Sequence, residues 1–131
     1  CGYAFEQVCL HHIRQIKWAL GIDGVQTSVC SWATLPTMDA DGKKHEGAQI
    51  DLVIDRRDQT INLCEMKFCM RPFEITPAYL EHIISRRELF REVTGTNKAL
   101  HLTFVTTYGL VKNAQYGMIQ SEVTMDDLFK Y

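Results

Sequence analysis

No stretch of this 131-residue chain is apolar for long enough to cross a bilayer, and no secretory signal pattern is visible, so a cytoplasmic protein without membrane contact is expected. There is no CxxC pair. The five cysteines (Cys1, Cys9, Cys30, Cys64 and Cys69) are odd in number and have apolar neighbours, which predicts buried, reduced thiols rather than a disulfide framework. Cys9-x-His11-His12 matches no standard zinc spacing. A GxxxxGK[ST] loop is missing too, which excludes a nucleoside triphosphatase of that class within these residues. Positive charge is not in excess: 14 Lys and Arg against 16 Asp and Glu give a net charge of −2, without the broad basic field of many nucleic-acid binders. The basic residues are local, at Arg56-Arg57, Arg71, Arg86, Arg87 and Arg91, where a solvated face explains them as well as phosphate contact does. What remains, 46% apolar and 23% charged, is one globular domain large enough to bury a core. It starts at Cys1 without Met and enters a predicted helix almost at once, so a piece of a longer protein is expected.

The most informative segment is Gly47-Ala48-Gln49-Ile50-Asp51-Leu52-Val53-Ile54-Asp55, followed by Thr60-Ile61-Asn62-Leu63-Cys64-Glu65-Met66-Lys67-Phe68. Two apolar, β-rich runs joined by a short polar turn form a hairpin signal. Asp51, Glu65 and Lys67 stand inside it where an ordinary strand carries Val, Ile or Leu. Charges there are costly unless paired or holding a metal. Glu65 and Lys67, two apart, share a face. A turn centred near Asp58 sets Asp51 opposite Glu65, with Cβ atoms roughly 5 Å apart. Two carboxylates so placed repel unless a cation lies between them, and Mg²⁺ suits oxygen ligands of this kind. Lys67 beside it can orient a water and stabilise developing negative charge. A register slip of one residue would put the acids on opposite faces.

Helical spacing covers residues 3–20 (Phe5, Val8, Cys9, Ile13, Ile16, Leu20), ending at Gly21. Glu6 lies beside its apolar stripe, where a lone acid near a helix start is ordinarily solvated or favoured by the dipole. Residues 25–35 alternate as a half-buried strand, and Asp39 to Lys44 is a turn cluster. The hairpin strands follow at about 47–55 and 60–69. Thr76-Pro77 opens a second helix with Leu80, Ile83, Ile84, Phe90 and Val93 as its stripe, and Gly95 stops it. A strand at 99–107, a weaker one at about 116–121 and a short helix from Thr124 close the chain. The order α-β-β-β-α-β predicts an α/β fold, a mixed central sheet flanked by helices. The five histidines have no partnering nucleophile, and Trp18 and Trp32 are expected in the core or at its rim.

That order, with an acid in the first helix, Asp51 on a strand and Glu65-x-Lys67 on its partner, resembles the PD-(D/E)xK nuclease superfamily, whose core is the restriction-endonuclease-like fold. The resemblance implies that Asp51 and Glu65 bind metal, with the Met66 carbonyl as a further ligand. It also implies that Lys67 positions the nucleophilic water and that Glu6 is an auxiliary acid. Gln49 is a candidate to line the site, and Arg86 and Arg87 are candidates for nucleic-acid contact. The phrases Gly47 to Arg56, Asn62 to Phe68 and Thr106-Thr107-Tyr108-Gly109-Leu110 are similar to the C-terminal region of archaeal-type AAA ATPases of Bacteroides-like bacteria, in which an ATPase module precedes a nuclease-like domain. The implied function is a Mg²⁺- or Mn²⁺-dependent DNA endonuclease with DNA and the ATPase module as partners. The alternative is a catalytically silent nuclease-fold domain serving nucleic-acid binding, regulation or protein interaction. The retained acid–acid–lysine set argues for the first and the low net charge for the second.

Overall fold

A computed structural model describes Cys9 and residues 11–38, 40–45 and 47–129. Within them a five-stranded mixed sheet carries helices on both faces, an α/β architecture. Helix α1 (Ile13–Ala19) leads into β1 (Thr27–Thr34). A two-stranded arm of β2 (Thr37–Met38) and β3 (Lys44–His45) then flanks the predicted 39–44 turn. The hairpin follows as β4 (Ala48–Arg56) and β5 (Thr60–Lys67). Helix α2 (Pro77–Thr94) precedes β6 (Ala99–Thr106), and β7 (Ser121–Thr124) runs into α3 (Met125–Leu128). The sheet order is β1-β4-β5-β6-β7. Its first three strands each run antiparallel to their neighbour, whereas β6 and β7 continue parallel to β5. No helix among the described residues is long and apolar enough to cross a membrane.

Alternation along the central strands divides the core. Leu52, Ile54, Cys64 and Met66 pack with Ile16 of α1 and Leu128 of α3 on one face. Val53, Ile61 and Leu63 pack with Phe90 of α2 on the other. Both ends of α2 follow its sequence: the Thr76 side chain accepts from the Tyr79 N–H at 3.1 Å, Pro77 takes the first turn, and Gly95 ends the helix at φ 69°. The hairpin loop has three residues and closes with Gln59 at φ 68°, the left-handed position such loops require.

Four expectations are corrected. Val93 is 56% exposed, because ten residues at about 100° each turn it about 80° from buried Ile83. The expected strand at 116–121 is a 3₁₀ turn over Tyr116–Met118, held by Asn113 Oδ1, which accepts from the Gln115 and Tyr116 N–H groups; the strand begins only at Ser121. Strand β1 is mostly exposed rather than half-buried, since it is the sheet's edge. For the same reason Cys30 is exposed, and Cys69, past the end of β5, is only half-buried, whereas Cys9 and Cys64 are buried thiols as expected.

Candidate functional site

Register decides whether the hairpin's charges meet. The β4–β5 ladder runs from Asp55 against Ile61 to Leu52 against Cys64, and Asp51 and Glu65 follow immediately beyond its end. On the other side of β4, Cys30 pairs with Val53 but Trp32 with Ile50, so Ser31 alone spans Asp51 and Leu52. This is a β-bulge, which kinks a strand and re-aims its side chains. Its effect is visible in the packing: Ile50 and Val53, three apart, share one core cluster where regular alternation would oppose them. The displaced Asp51 carboxylate accepts from the Met66 N–H at 3.1 Å.

Asp51, Glu65 and Lys67 line one open cleft of about 490 Å³, together with Gln49, His82 and Arg86. At its rim Gly47 is obligatory, since a Cβ there would stand 2.7 Å from the Thr34 carbonyl oxygen. Met66 contributes backbone beside Asp51 while its side chain lies in the core on the opposite face. Glu6 lies outside the described residues.

Glu65 is 8% exposed, and its carboxylate meets Arg86 Nη1 at 2.5 Å. The same Nη1 donates to the Gln49 carbonyl at 2.8 Å, so Arg86 ties α2 to both hairpin strands. Burial pushes the Glu65 carboxyl up to about 7; Asp51 adds to the rise, while Arg86 and then Lys67 oppose it. Arg87 pairs with its neighbour Glu88 at 3.2 Å instead of entering the cleft. Tyr79 stands one turn before His82 on α2. Its hydroxyl is sealed from solvent with no partner in hydrogen-bond range among the described residues; burial and then Glu65 raise its pKa, and the adjacent Lys67 ammonium works against that rise. The Lys67 ammonium lies over the Tyr79 ring, 5.1 Å from the centroid.

The sequence pointed to Arg86 of α2 but not to Tyr79 or His82, nor to Arg86 as the partner of Glu65. His82 and Arg86 line the cleft from one edge of the helix, and Tyr79, one turn earlier on that edge, lies against Lys67. That spacing was legible, but nothing local said which strand residues it would face.

Two carboxylates in one cleft, one of them with burial and a neighbouring acid working against its ionisation, are suited to a hard divalent cation, which needs only one or two protein carboxylates beside water and substrate phosphate. Among the described residues no group of three or more His, Cys, Asp and Glu converges, so a cage made by protein alone does not arise there. No family model, curated protein or solved structure matches the chain.

Proposed function

We propose that this chain is a divalent-metal-dependent phosphodiesterase domain of the PD-(D/E)xK nuclease type, acting on DNA and joined to an ATPase module. The observation that carries the reading is the convergence of Asp51, Glu65 and Lys67 on one cleft at a strand bulge. The strand arrangement supports it: an antiparallel trio, a helix, then a parallel strand is the topology expected of a restriction-endonuclease-like core. Asp51 and Glu65 would hold Mg²⁺ or Mn²⁺, with the Met66 carbonyl a third donor. Such an ion supplies Lewis-acid polarisation of a phosphoryl oxygen and a lowered water pKa. The protein's own groups do the rest. Lys67 offers N–H donors to the attacking water and to negative charge growing on the phosphate. The Met66 N–H fixes the Asp51 carboxylate, and Arg86 holds the Glu65 carboxylate at the cleft wall.

One observation favours a second reading, a silent nuclease-fold module. Arg86 already supplies Glu65 with a cation at 2.5 Å, as a site retired from metal chemistry would. Incubating the protein with supercoiled plasmid and with single-stranded DNA in Mg²⁺ or Mn²⁺ separates the two. Cleavage that falls at least 100-fold in both Glu65→Ala and Lys67→Ala is the expected outcome, on the order that loss of an essential electrostatic group costs. Salt-sensitive binding without cleavage would establish the silent module instead.

A further inference from the structure

Lys67 is held in an unusual way for a cation at a cleft wall. Among the described residues no carboxylate forms an ion pair with it. Its ammonium instead lies 5.1 Å from the Tyr79 ring centroid and 5.8 Å from that of Phe73, within cation–π range of both. The two rings meet edge to face at 5.6 Å. Both also pack on Phe104, a fully buried residue of β6, at 6.0 Å from Phe73 and 6.3 Å from Tyr79. The backbone fixes Phe73 further: its N–H donates to the Gly109 carbonyl and its own carbonyl accepts from the Val111 N–H, both at 2.9 Å. Tyr79 is fixed by the Thr76 cap. The ring pair is therefore anchored in the core rather than laid on the surface.

A carboxylate partner would consume the N–H donors of an ammonium, whereas a ring face attracts the charge and consumes none. We propose that Tyr79, with Phe73 behind it, is a positioning residue that seats the Lys67 ammonium on its aromatic face and leaves the N–H donors free for a phosphodiester oxygen or water in the cleft. The inference rests on the phosphodiesterase reading and adds to it the group that sets the lysine. The ring carries the effect.

Tyr79→Phe keeps the ring and Tyr79→Leu removes it, so the pair isolates the seat. On plasmid DNA with Mg²⁺, Tyr79→Phe retains kcat within twofold. Tyr79→Leu lowers kcat about tenfold at nearly unchanged KM, the size of a cation–π contact shielded from water. Equal loss in both variants, or a loss confined to KM, overturns the proposal. A second readout needs no turnover. In protein with ¹³C-methylated lysines, the Lys67 signal, identified by its absence in Lys67→Arg, is shifted upfield by the rings in the parent and in Tyr79→Phe. It returns toward the ordinary lysine position in Tyr79→Leu, and Phe73→Leu gives a smaller return if Tyr79→Leu does not fold. An unshifted signal in the parent refutes the seat whether or not DNA is cut. If the parent cuts nothing, the thymidine dinucleotide dTpdT in EDTA is titrated instead. A Lys67 signal that moves in the parent and Tyr79→Phe but not in Tyr79→Leu upholds the seat and fails only the cleavage reading; equal movement in all three overturns it.

Discussion

Replacing Arg86 with Met tests the electrostatics of the cleft through stability. The native Glu65 pKa of about 7 lies above its unfolded value near 4.5. Its contribution to stability is therefore fully present below about pH 4.5 and is lost as pH rises through 7, a change of about 3 kcal/mol. Arg86 is the largest force lowering that pKa. Removing it moves the native pKa above 7 and carries the loss to higher pH. At pH 5.5 the carboxyl is mostly protonated in both proteins, and Arg86→Met costs only the hydrogen bonds to Glu65 and the Gln49 carbonyl, about 1–2 kcal/mol. Above pH 7 the difference grows by about 1.4 kcal/mol per pH unit until the variant's own pKa is passed. By pH 8.5 it reaches about 3–4 kcal/mol, within the range for breaking a buried ion pair. Urea unfolding of parent and variant at pH 5.5, 7 and 8.5, followed by tryptophan fluorescence, measures the difference directly, and other titrating groups cancel between them. The same destabilisation at pH 5.5 and 8.5, within about 0.5 kcal/mol, would refute the reasoning.

Further expectations concern ligand binding and the core. Because an ion binding at Glu65 must displace its proton, Mg²⁺ affinity should rise up to tenfold per pH unit below about pH 7 and level off above it; calorimetry at pH 6, 7 and 8 in buffers of different ionisation enthalpy detects the released proton, and a flat profile contradicts the assignment. Asn62 is fully buried between Thr103 Oγ1, 2.9 Å from its Nδ2, and Arg56 Nη1, 3.0 Å from its Oδ1, so Asn62→Ala should cost about 2–4 kcal/mol in denaturant unfolding, against about 1–2 for Thr103→Val. Gly47→Ala forces a Cβ against the Thr34 carbonyl and the Pro36 ring and should lose about 1–3 kcal/mol by the same measurement.

Much of this arrangement was legible in the chain because it depends on local rules. A three-residue turn fixes hairpin register, and that register brings Asp51 and Glu65 to the same end of the β4–β5 ladder. Thr76-Pro77 and Gly95 state the ends of α2 through capping chemistry. What was not legible depends on which elements become neighbours. Val29 and Cys30 have the pattern of a half-buried strand, yet lie exposed because β1 became the edge. The bulge at Asp51–Leu52 leaves no composition signal, since neither residue is Gly. Arg86 is indistinguishable from the neighbouring Arg87 in sequence. One ties Glu65 and the Gln49 carbonyl while the other pairs along the helix surface, and only the helix's rotation over the sheet separates them.

Anomalous diffraction from crystals soaked in Mn²⁺, with Asp51→Asn as the control, tests the central claim most directly. A single strong peak between the Asp51 and Glu65 carboxylates, with the Arg86 guanidinium drawn away from Glu65 and no peak in the variant, is the expected result. An empty cleft with Arg86 still bound to Glu65 at saturating Mn²⁺, or a peak that survives Asp51→Asn, would contradict it.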